Sequence, residues 1–144
     1  MIGFAKSDQL KTRRVKPKKV KNERRIISNK LDKLASKICR KVGKCEICGK
    51  SDGVLNAHHF KSRKYHALRW YQPNLICLCV HHHTFNFNFS AHKTPEAFKA
   101  RMVELRGADW LKDIELKAIG SGNFKLAELQ QMYEHLRSLL IDTE

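Results

Sequence analysis

Apolar residues in the first third of the chain recur at the spacing of one face of a helix. Five of them are separated by three or four positions: Ile27, Leu31, Leu34, Ile38 and Val42. Residues at this spacing lie on the same side of an α-helix, so they predict an amphipathic helix that packs on the rest of the domain. Gly43 follows the last of them and is a typical helix terminator. Cys39, beside this stripe, is predicted to be a small core residue.

The last third of the chain predicts three further helices. Thr94, Pro95 and Glu96 form a typical helix start, with Thr94 as the cap and Pro95 at the first position. The apolar stripes of the three helices are Phe98, Met102 and Leu105, then Trp110, Leu111, Ile114 and Leu116, and finally Leu126, Leu129, Tyr133, Leu136 and Leu140. Gly107 and residues 120–122 separate the helices. The stripes predict ordinary packing faces, and the last helix could also support a homodimer.

The middle of the chain carries shorter apolar segments. Residues 54–60 have strand character and follow a turn at Gly53. The longest uninterrupted apolar run, residues 75–80, is far too short to cross a bilayer. The first residues contain no apolar stretch of a secretory signal. A membrane protein and a secreted disulfide scaffold are therefore not expected.

Basic residues outnumber acidic ones, and they are unevenly distributed. The 144 residues include 29 Lys and Arg against 14 Asp and Glu, for a formal net charge of +15. Residues 1–44 hold 16 basic and 3 acidic side chains, whereas residues 94–144 hold 7 and 9. A basic front half on a nearly neutral back half indicates a surface for a polyanion. We expect the polyanion to be DNA or RNA, because the binding of basic side chains to phosphates releases the counterions condensed around the nucleic acid.

The most basic segment is the N-terminal one. Between Lys11 and Lys21 almost nothing is apolar, so residues 1–22 are predicted to form a flexible basic arm. This arm could be a solvated tail, but we favour an arm that follows the phosphates of a nucleic acid. Its candidate DNA contacts are Arg13, Arg14, Lys18 and Lys19.

Cysteine and histidine are concentrated in the middle of the chain. Four of the five cysteines and seven of the eight histidines lie within residues 45–92. Cys45 and Cys48 are separated by two residues, and Cys79 and His82 repeat this spacing further along the chain. Two such pairs supply the four soft ligands of a tetrahedral zinc ion. The spacing therefore predicts a structural zinc site of three cysteines and one histidine.

Other interpretations of these cysteines are weaker but stay open. A redox Cys-x-x-Cys pair would need a strand–helix setting that the flanking sequence lacks. Disulfide pairing is disfavoured by the odd number of cysteines. Cys77 could replace Cys79 as a ligand, and His81 could replace His82.

Further histidines and an asparagine surround the two zinc pairs. His58 and His59 lie in the short strand segment, Asn74 precedes the apolar run, and His83 follows the second pair. With these residues the chain resembles the HNH endonuclease superfamily across residues 45–85.

A closer likeness is to the phage NinG/Rap-type recombination nucleases. It rests on the stretch from His59 to Trp70, and it continues weakly through residues 107–111 and the last predicted helix. The resemblance implies an α+β fold with a zinc-stabilised ββα-metal (His-Me finger) core. On this basis the arm covers residues 1–22, an N-terminal helix and the nuclease core cover 23–93, and a helical extension covers 94–144.

The resemblance also implies catalytic roles, position by position. His59 would be the general base, Asn74 would brace the loop and orient that base, and His83 would bind a catalytic divalent ion. His58 stands where many members carry a metal ligand, so it is a second candidate ligand. Its alternative is a core histidine, because neighbouring residues of a strand point to opposite faces.

Several residues near these histidines have two readings. Arg63 and Arg69 match the family stretch and are expected to hold DNA phosphates, although a charged surface loop would look the same. The run of alternating phenylalanine and asparagine at 85–89 could stack on bases, but we expect Phe85 and one further phenylalanine to fill the core. His92 is expected to be an ordinary surface residue.

Together these features predict a metal-dependent HNH endodeoxyribonuclease with structural Zn²⁺ and catalytic Mg²⁺ or Mn²⁺. The resemblance implies phage DNA recombination or processing in the cytoplasm of the host, with branched or single-stranded DNA among the substrates. Two alternatives stay open: a non-catalytic zinc module that binds nucleic acid, and a protein that binds or cuts RNA.

Overall fold

The computed structural model describes residues 18–142, with side-chain surroundings from Asn22 onward. The chain is an α+β protein, as expected. Its elements are α1 Lys18–Arg40, β1 Leu55–His59, 3₁₀ turns at His66–Leu68 and Gln72–Asn74, β2 Leu75–Cys79, a π-helical turn His81–Phe85, α2 Pro95–Arg106, α3 Ala108–Ala118 and α4 Leu126–Ile141. Within this described part, no helix has the length and apolar character needed to cross a membrane.

Helix α1 starts earlier than the sequence predicted. Its first residue is Lys18, so residues 18–22 are helical and do not belong to a flexible arm. Lys and Arg are good helix formers, which lets the helix extend through this basic stretch. Arg13 and Arg14 lie outside the described residues, as do the side chains of Lys18 and Lys19, so the predicted DNA contacts of this segment stay predictions.

The apolar stripe of α1 faces the core. Leu31, Ala35 and Cys39 are buried, in agreement with the predicted role of Cys39 as a core residue. Val42 is 54% exposed and does not belong to the stripe, because α1 ends at Arg40.

The two strands form an antiparallel hairpin in which His59 pairs with Leu75 and Leu55 pairs with Cys79. Every residue of β2 is buried. Leu75 and Cys77 pack in a first hydrophobic cluster with residues of α1 and α4. Ile76 and Leu78 pack in a second cluster, which includes Phe98 and Met102 of α2. Because successive strand residues point to opposite faces, β2 needs an unbroken apolar run to fill both clusters.

The three C-terminal helices lie where their apolar stripes predict them. Some positions of the stripes are exposed, however: Leu105 and Leu116 face solvent. Thr94 does not cap α2 with its side chain. Its hydroxyl instead accepts from the backbone N–H of Ser90 and donates to the Ser90 carbonyl, which closes the turn before the helix.

The linker between α3 and α4 supports the loop that joins the two strands. Gly122 has a φ of +58° and lies so close to the backbone of His66 and Ala67 that a β-carbon would overlap them. Only glycine combines this backbone conformation with such a close approach. The C-terminal extension thereby holds one side of the loop 60–74.

Candidate metal centres and catalytic cleft

Cys45, Cys48, Cys79 and His82 come together in one cluster, as the sequence predicted. Their ligand atoms all lie within 4.8 Å of one another, a group that could hold a metal ion such as zinc. The first two residues come from the turn after α1, Cys79 ends β2, and His82 lies in the π-helical turn. The cluster therefore joins the N-terminal turn to the end of the hairpin.

The spacing of these atoms suits a tetrahedral ion. Cys79 Sγ lies 3.3 Å from His82 Nδ1, Cys45 Sγ lies 3.8 Å from the same nitrogen, and the Cys48 and Cys79 sulfurs are 3.9 Å apart. Around a tetrahedral zinc ion with ordinary bond lengths, a sulfur and a nitrogen stand about 3.5 Å apart and two sulfurs about 3.8 Å apart. These three separations are therefore close to those around a bound zinc ion.

The backbone around Cys45 favours its thiolate form. Burial raises the pKa of the Cys45 thiol, but hydrogen bonds from backbone N–H groups of Cys79, Cys48 and Ile47 outweigh it, and the net pKa is lowered. The thiolate is the form that binds metal.

The alternative ligands lie elsewhere. Cys77 is buried in the first hydrophobic cluster, because it points to the opposite face of β2 from its neighbours Ile76 and Leu78. His81 is exposed and outside the cluster.

A half-buried ion pair holds the cysteine turn against the rest of the protein. Glu46 accepts three hydrogen bonds from the guanidinium of Arg106 at 2.6–3.0 Å, and it accepts a fourth from the backbone N–H of Cys77. Arg106 also donates to the carbonyls of Pro73 and Leu75. This pair links the cysteine turn, β2 and α2, and nothing in the sequence pattern indicated it.

A second cluster consists of His58, His83 and His92, whose ring nitrogens also lie within 4.8 Å of one another. The Nε2 atoms of His83 and His92 are 3.2 Å apart, close to the separation of about 3.3 Å expected for two nitrogens on a tetrahedral ion. His58 and His83 were the predicted ligands, and the structure brings them together. His92 is exposed, as expected, but it is the third member of the cluster, which the sequence analysis missed.

Backbone hydrogen bonds explain how His92 reaches the cluster. The N–H of Ala91 donates to the carbonyl of His82 at 2.9 Å, and the N–H of His92 donates to the carbonyl of His83 at 3.2 Å. The chain leaves the π-helical turn, makes a loop and returns beside it. No periodic pattern marks such a return, so the sequence carried no sign of it.

His58 and His59 point to different surroundings. The hairpin register runs through both residues without a bulge, so their side chains take opposite faces of β1. His58 joins the histidine cluster and also meets the ring of Phe98 edge-on. His59 lies outside that cluster, and its Nε2 is 2.8 Å from the backbone carbonyl of Arg69.

Burial keeps these imidazoles neutral. It lowers the pKa of His58 to about 3, with the neighbouring imidazoles adding to the effect. Burial also lowers the pKa of His83, as does the nearby His92. For His59, burial lowers the pKa although the hydrogen bond to the Arg69 carbonyl opposes it. Neutral imidazole is the form that binds metal or accepts a proton.

The histidine cluster and His59 open on a common cleft of about 380 Å³. Its lining is rich in histidine: Ala57, His58, His59, Phe60, Ser62, Arg63, His83 and His92. No family model, curated protein or solved structure matches this chain.

The donor set narrows the choice of ion for the cleft. Three imidazole nitrogens suit zinc, copper, iron and nickel ions, whereas Mg²⁺ and Mn²⁺ prefer oxygen ligands. Among the described residues, the cluster contains no carboxylate. The expectation of Mg²⁺ or Mn²⁺ therefore finds no support in these ligands, and an ion such as zinc or nickel fits them better.

Asn74 braces the loop 60–74 from the inside. It is fully buried, its Oδ1 accepts from the backbone N–H of Lys61, and its Nδ2 donates to the carbonyls of Lys61 and Leu68. Leu68 directly precedes Arg69, whose carbonyl contacts Nε2 of His59. Asn74 thus holds the segment that positions the His59 ring.

Asp32 of α1 holds the same segment from the outside. Arg69 donates two hydrogen bonds to its carboxylate, at 2.6 and 2.9 Å, and the indole N–H of Trp70 donates a third at 2.8 Å. Arg63 reaches the carboxylate as well, at 2.8 Å. Nothing in the sequence singles out Asp32, because a lone acidic residue among lysines on a helix gives no indication of a partner.

These contacts give different roles to Arg63 and Arg69, the two arginines that were expected to bind DNA. The guanidinium of Arg69 is largely buried against Asp32, so its placement is that of a structural anchor and not of a phosphate contact. Arg63 is 57% exposed and lines the cleft, where it remains accessible to a ligand.

Proposed function

We propose that the chain is a metal-dependent endonuclease of the HNH type that hydrolyses DNA phosphodiester bonds. One observation carries the proposal: a neutral imidazole with a fixed orientation, His59, shares a cleft with three clustered histidines. A base for water and a cation site within one groove are what phosphodiester hydrolysis requires.

The hydrogen bond of His59 decides which nitrogen can accept a proton. A carbonyl oxygen only accepts, so Nε2 must carry the hydrogen that it donates to Arg69. In the neutral ring the other nitrogen, Nδ1, is then unprotonated and can take a proton from water. Arg69 and Asn74 act as positioning residues, since the first supplies the carbonyl and the second holds its loop.

The three clustered histidines would hold the divalent ion of the reaction. When bound, such an ion supplies charge stabilisation at the scissile phosphate and the departing oxygen. His58 and His83 approach from β1 and the π-helical turn, and His92 approaches from the segment before α2.

The cluster of three cysteines and His82 would hold a structural zinc ion. All four positions of a tetrahedral ion are filled by protein ligands there, which leaves no place for substrate. Its contribution is to join the cysteine turn to the π-helical turn, and the adjacent residue of that turn is His83.

Charge supports a nucleic acid as the substrate. The chain carries +15, and Arg63 is placed at the cleft for a phosphate. The resemblance to phage recombination nucleases adds the biological setting and branched DNA as a substrate. The alternative, a zinc module that only binds nucleic acid, has no use for the arrangement of His59 beside a second cation site.

A nicking assay separates the two. With whichever of Mn²⁺, Zn²⁺ and Mg²⁺ supports the fastest nicking by wild type, the His59→Ala variant should lose at least about a hundredfold of the rate of plasmid nicking, while zinc content and DNA affinity stay unchanged. His81→Ala is a matched control, because this exposed histidine belongs to neither cluster. If wild-type protein loaded with Mn²⁺, Zn²⁺ or Mg²⁺ fails to nick DNA, or if His59→Ala nicks as fast as wild type, the proposal is wrong.

A further inference from the structure

Two phenylalanines in the loop between His83 and His92 are exposed. Phe85 is 70% exposed and Phe87 is 77% exposed, which is unusual for side chains that gain so much from burial. The expectation that Phe85 fills the core is therefore wrong. Of the alternating run, Phe89 is the residue that packs against the second hydrophobic cluster.

The loop that carries these rings is held in place at several points. The N–H of Asn86 donates to the carbonyl of His81, and the N–H of Asn88 donates to the side chain of Asn86. Ala91 closes the loop on His82. The two rings are therefore presented to solvent by a braced loop, because their neighbour Phe89 takes the inward position.

Both ends of this loop belong to the histidine cluster. It leaves from His83 and returns to His92, so the exposed rings lie on a segment whose two ends carry members of the histidine cluster. Lys93, the next residue, places its ammonium 5.0 Å from the centre of the Phe87 ring. An aromatic face and a positive charge thus lie side by side on this loop.

We propose that Phe85 and Phe87 stack on unpaired bases of the DNA strand whose phosphate enters the cleft, so that DNA with a gap, a branch or a single-stranded segment binds better than continuous duplex. This inference rests on the proposed function and deepens it. Bases inside a duplex have no free face, whereas unpaired bases stack on aromatic side chains with little sequence preference.

The polar neighbours of the rings favour nucleic acid over an apolar partner. Asn86 and Asn88 separate the phenylalanines, and Lys93 lies over one of them, so the rings do not join into a continuous apolar patch. Asparagine can donate to and accept from base edges, and the lysine can meet a phosphate. The exposed apolar patches that mark sites for protein partners are larger and contiguous.

Binding can be measured without cleavage in the His59→Ala background. The probes are two DNA duplexes of equal length, one continuous and one with a short gap that contains a single 2-aminopurine, whose fluorescence falls on stacking. Phe85→Ala and Phe87→Ala should each weaken binding to the gapped probe about fivefold to a hundredfold. They should change binding to continuous duplex less than about twofold, and they should abolish the fluorescence change.

Conservative variants test the ring itself. Phe87→Trp should keep the affinity for the gapped probe within about twofold, whereas Phe87→Leu should lose it, because leucine is apolar without a stacking face. Ile119→Ala is the matched control, since Ile119 is 83% exposed and belongs to neither cluster of metal ligands nor to the loop.

The outcomes are distinguishable from those of the nicking assay. If the double alanine variant still prefers gapped DNA, or if Phe87→Leu binds it as well as the parent, the stacking role is refuted whether or not the protein cuts. If the phenylalanines are required for gapped DNA but the His59-containing protein never nicks, the stacking role stands and the nuclease proposal fails.

Discussion

Replacing Asp32 with alanine should both destabilise the protein and slow its reaction. The carboxylate is the common acceptor for Arg69, Arg63 and the indole of Trp70. Without it, a guanidinium that is only 18% exposed has lost its counter-charge, and a half-buried N–H has lost its acceptor. The segment whose carbonyl orients His59 then loses its anchor to α1 and keeps its contacts with Asn74 and the linker at Gly122.

The magnitude follows from the burial of the pair. Removing one partner of a buried ion pair costs about 3–5 kcal/mol, and an exposed pair is worth about 0–1 kcal/mol. The Asp32 side chain is 23% exposed, so water replaces part of the lost interaction. We expect the free energy of unfolding to fall by about 2–3 kcal/mol.

Urea denaturation at pH 7 in the presence of zinc measures this change. Glu104→Ala is the matched control, because it removes a carboxylate from an exposed pair with Arg101 at 2.8 Å. That control should cost less than about 1 kcal/mol. In the nicking assay Asp32→Ala should lower the rate without changing zinc content, since Asp32 contacts neither cluster of metal ligands.

The pH dependence gives a second, independent readout. Burial raises the pKa of Asp32, but its hydrogen bonds from Arg69 and Trp70 and the charges of both arginines outweigh burial, and the net pKa is lowered. A carboxyl whose pKa is lower in the folded state stabilises the protein above its unfolded pKa of about 3.9, and this contribution is lost as the pH falls through the folded pKa. The stability difference between wild type and Asp32→Ala should therefore be constant near neutrality and shrink in acid. A difference that is below about 0.5 kcal/mol at pH 7, or that grows in acid, would refute the reasoning.

Three further predictions concern the two metal clusters and the core. His92→Ala should weaken Ni²⁺ binding to the zinc-loaded protein at least about tenfold by calorimetry, whereas His81→Ala should leave it unchanged; equal affinity in His92→Ala would show that His92 is not a ligand. Cys79→Ser should abolish stoichiometric zinc by elemental analysis and lower the melting temperature, as a chelator should in wild type; full zinc content in the variant would contradict the assigned ligands. Met102→Ala should cost about 2–5 kcal/mol of unfolding free energy but Leu105→Ala less than about 1, because only the former is fully buried; similar losses would contradict this packing.

The elements that depend on local spacing were predictable. Helix α4 lies at Leu126–Ile141, where its apolar stripe predicts it, because helical periodicity is a property of neighbours in the chain. The ligand set of Cys45, Cys48, Cys79 and His82 was also predictable, since two residues between ligands match the geometry of a knuckle. The predicted start of α1 was wrong. A dense run of positive charge does not prevent lysine and arginine from forming a helix, so α1 begins already at Lys18.

Features that depend on which distant segments meet were not predictable. Asp32 could be recognised as an acceptor only once the loop with Arg69 and Trp70 was packed on α1. The same holds for the contact of Glu46 with Arg106, which are sixty residues apart. Hydrogen bonding between side chains leaves no periodic trace in a sequence.

The two adjacent histidines of the hairpin show most clearly which features follow from the sequence and which from tertiary packing. The sequence alone established the strand, and with it the rule that His58 and His59 take opposite faces. Tertiary packing decided what each face meets: His83 and His92 on one side, and the carbonyl of Arg69 on the other. The physical reason is the distance along the chain over which each feature is determined. The alternation of side chains in a strand depends on residues that are bonded neighbours. The surroundings of each side chain depend on distant segments, which the folding of the loops and the packing of the core bring beside it.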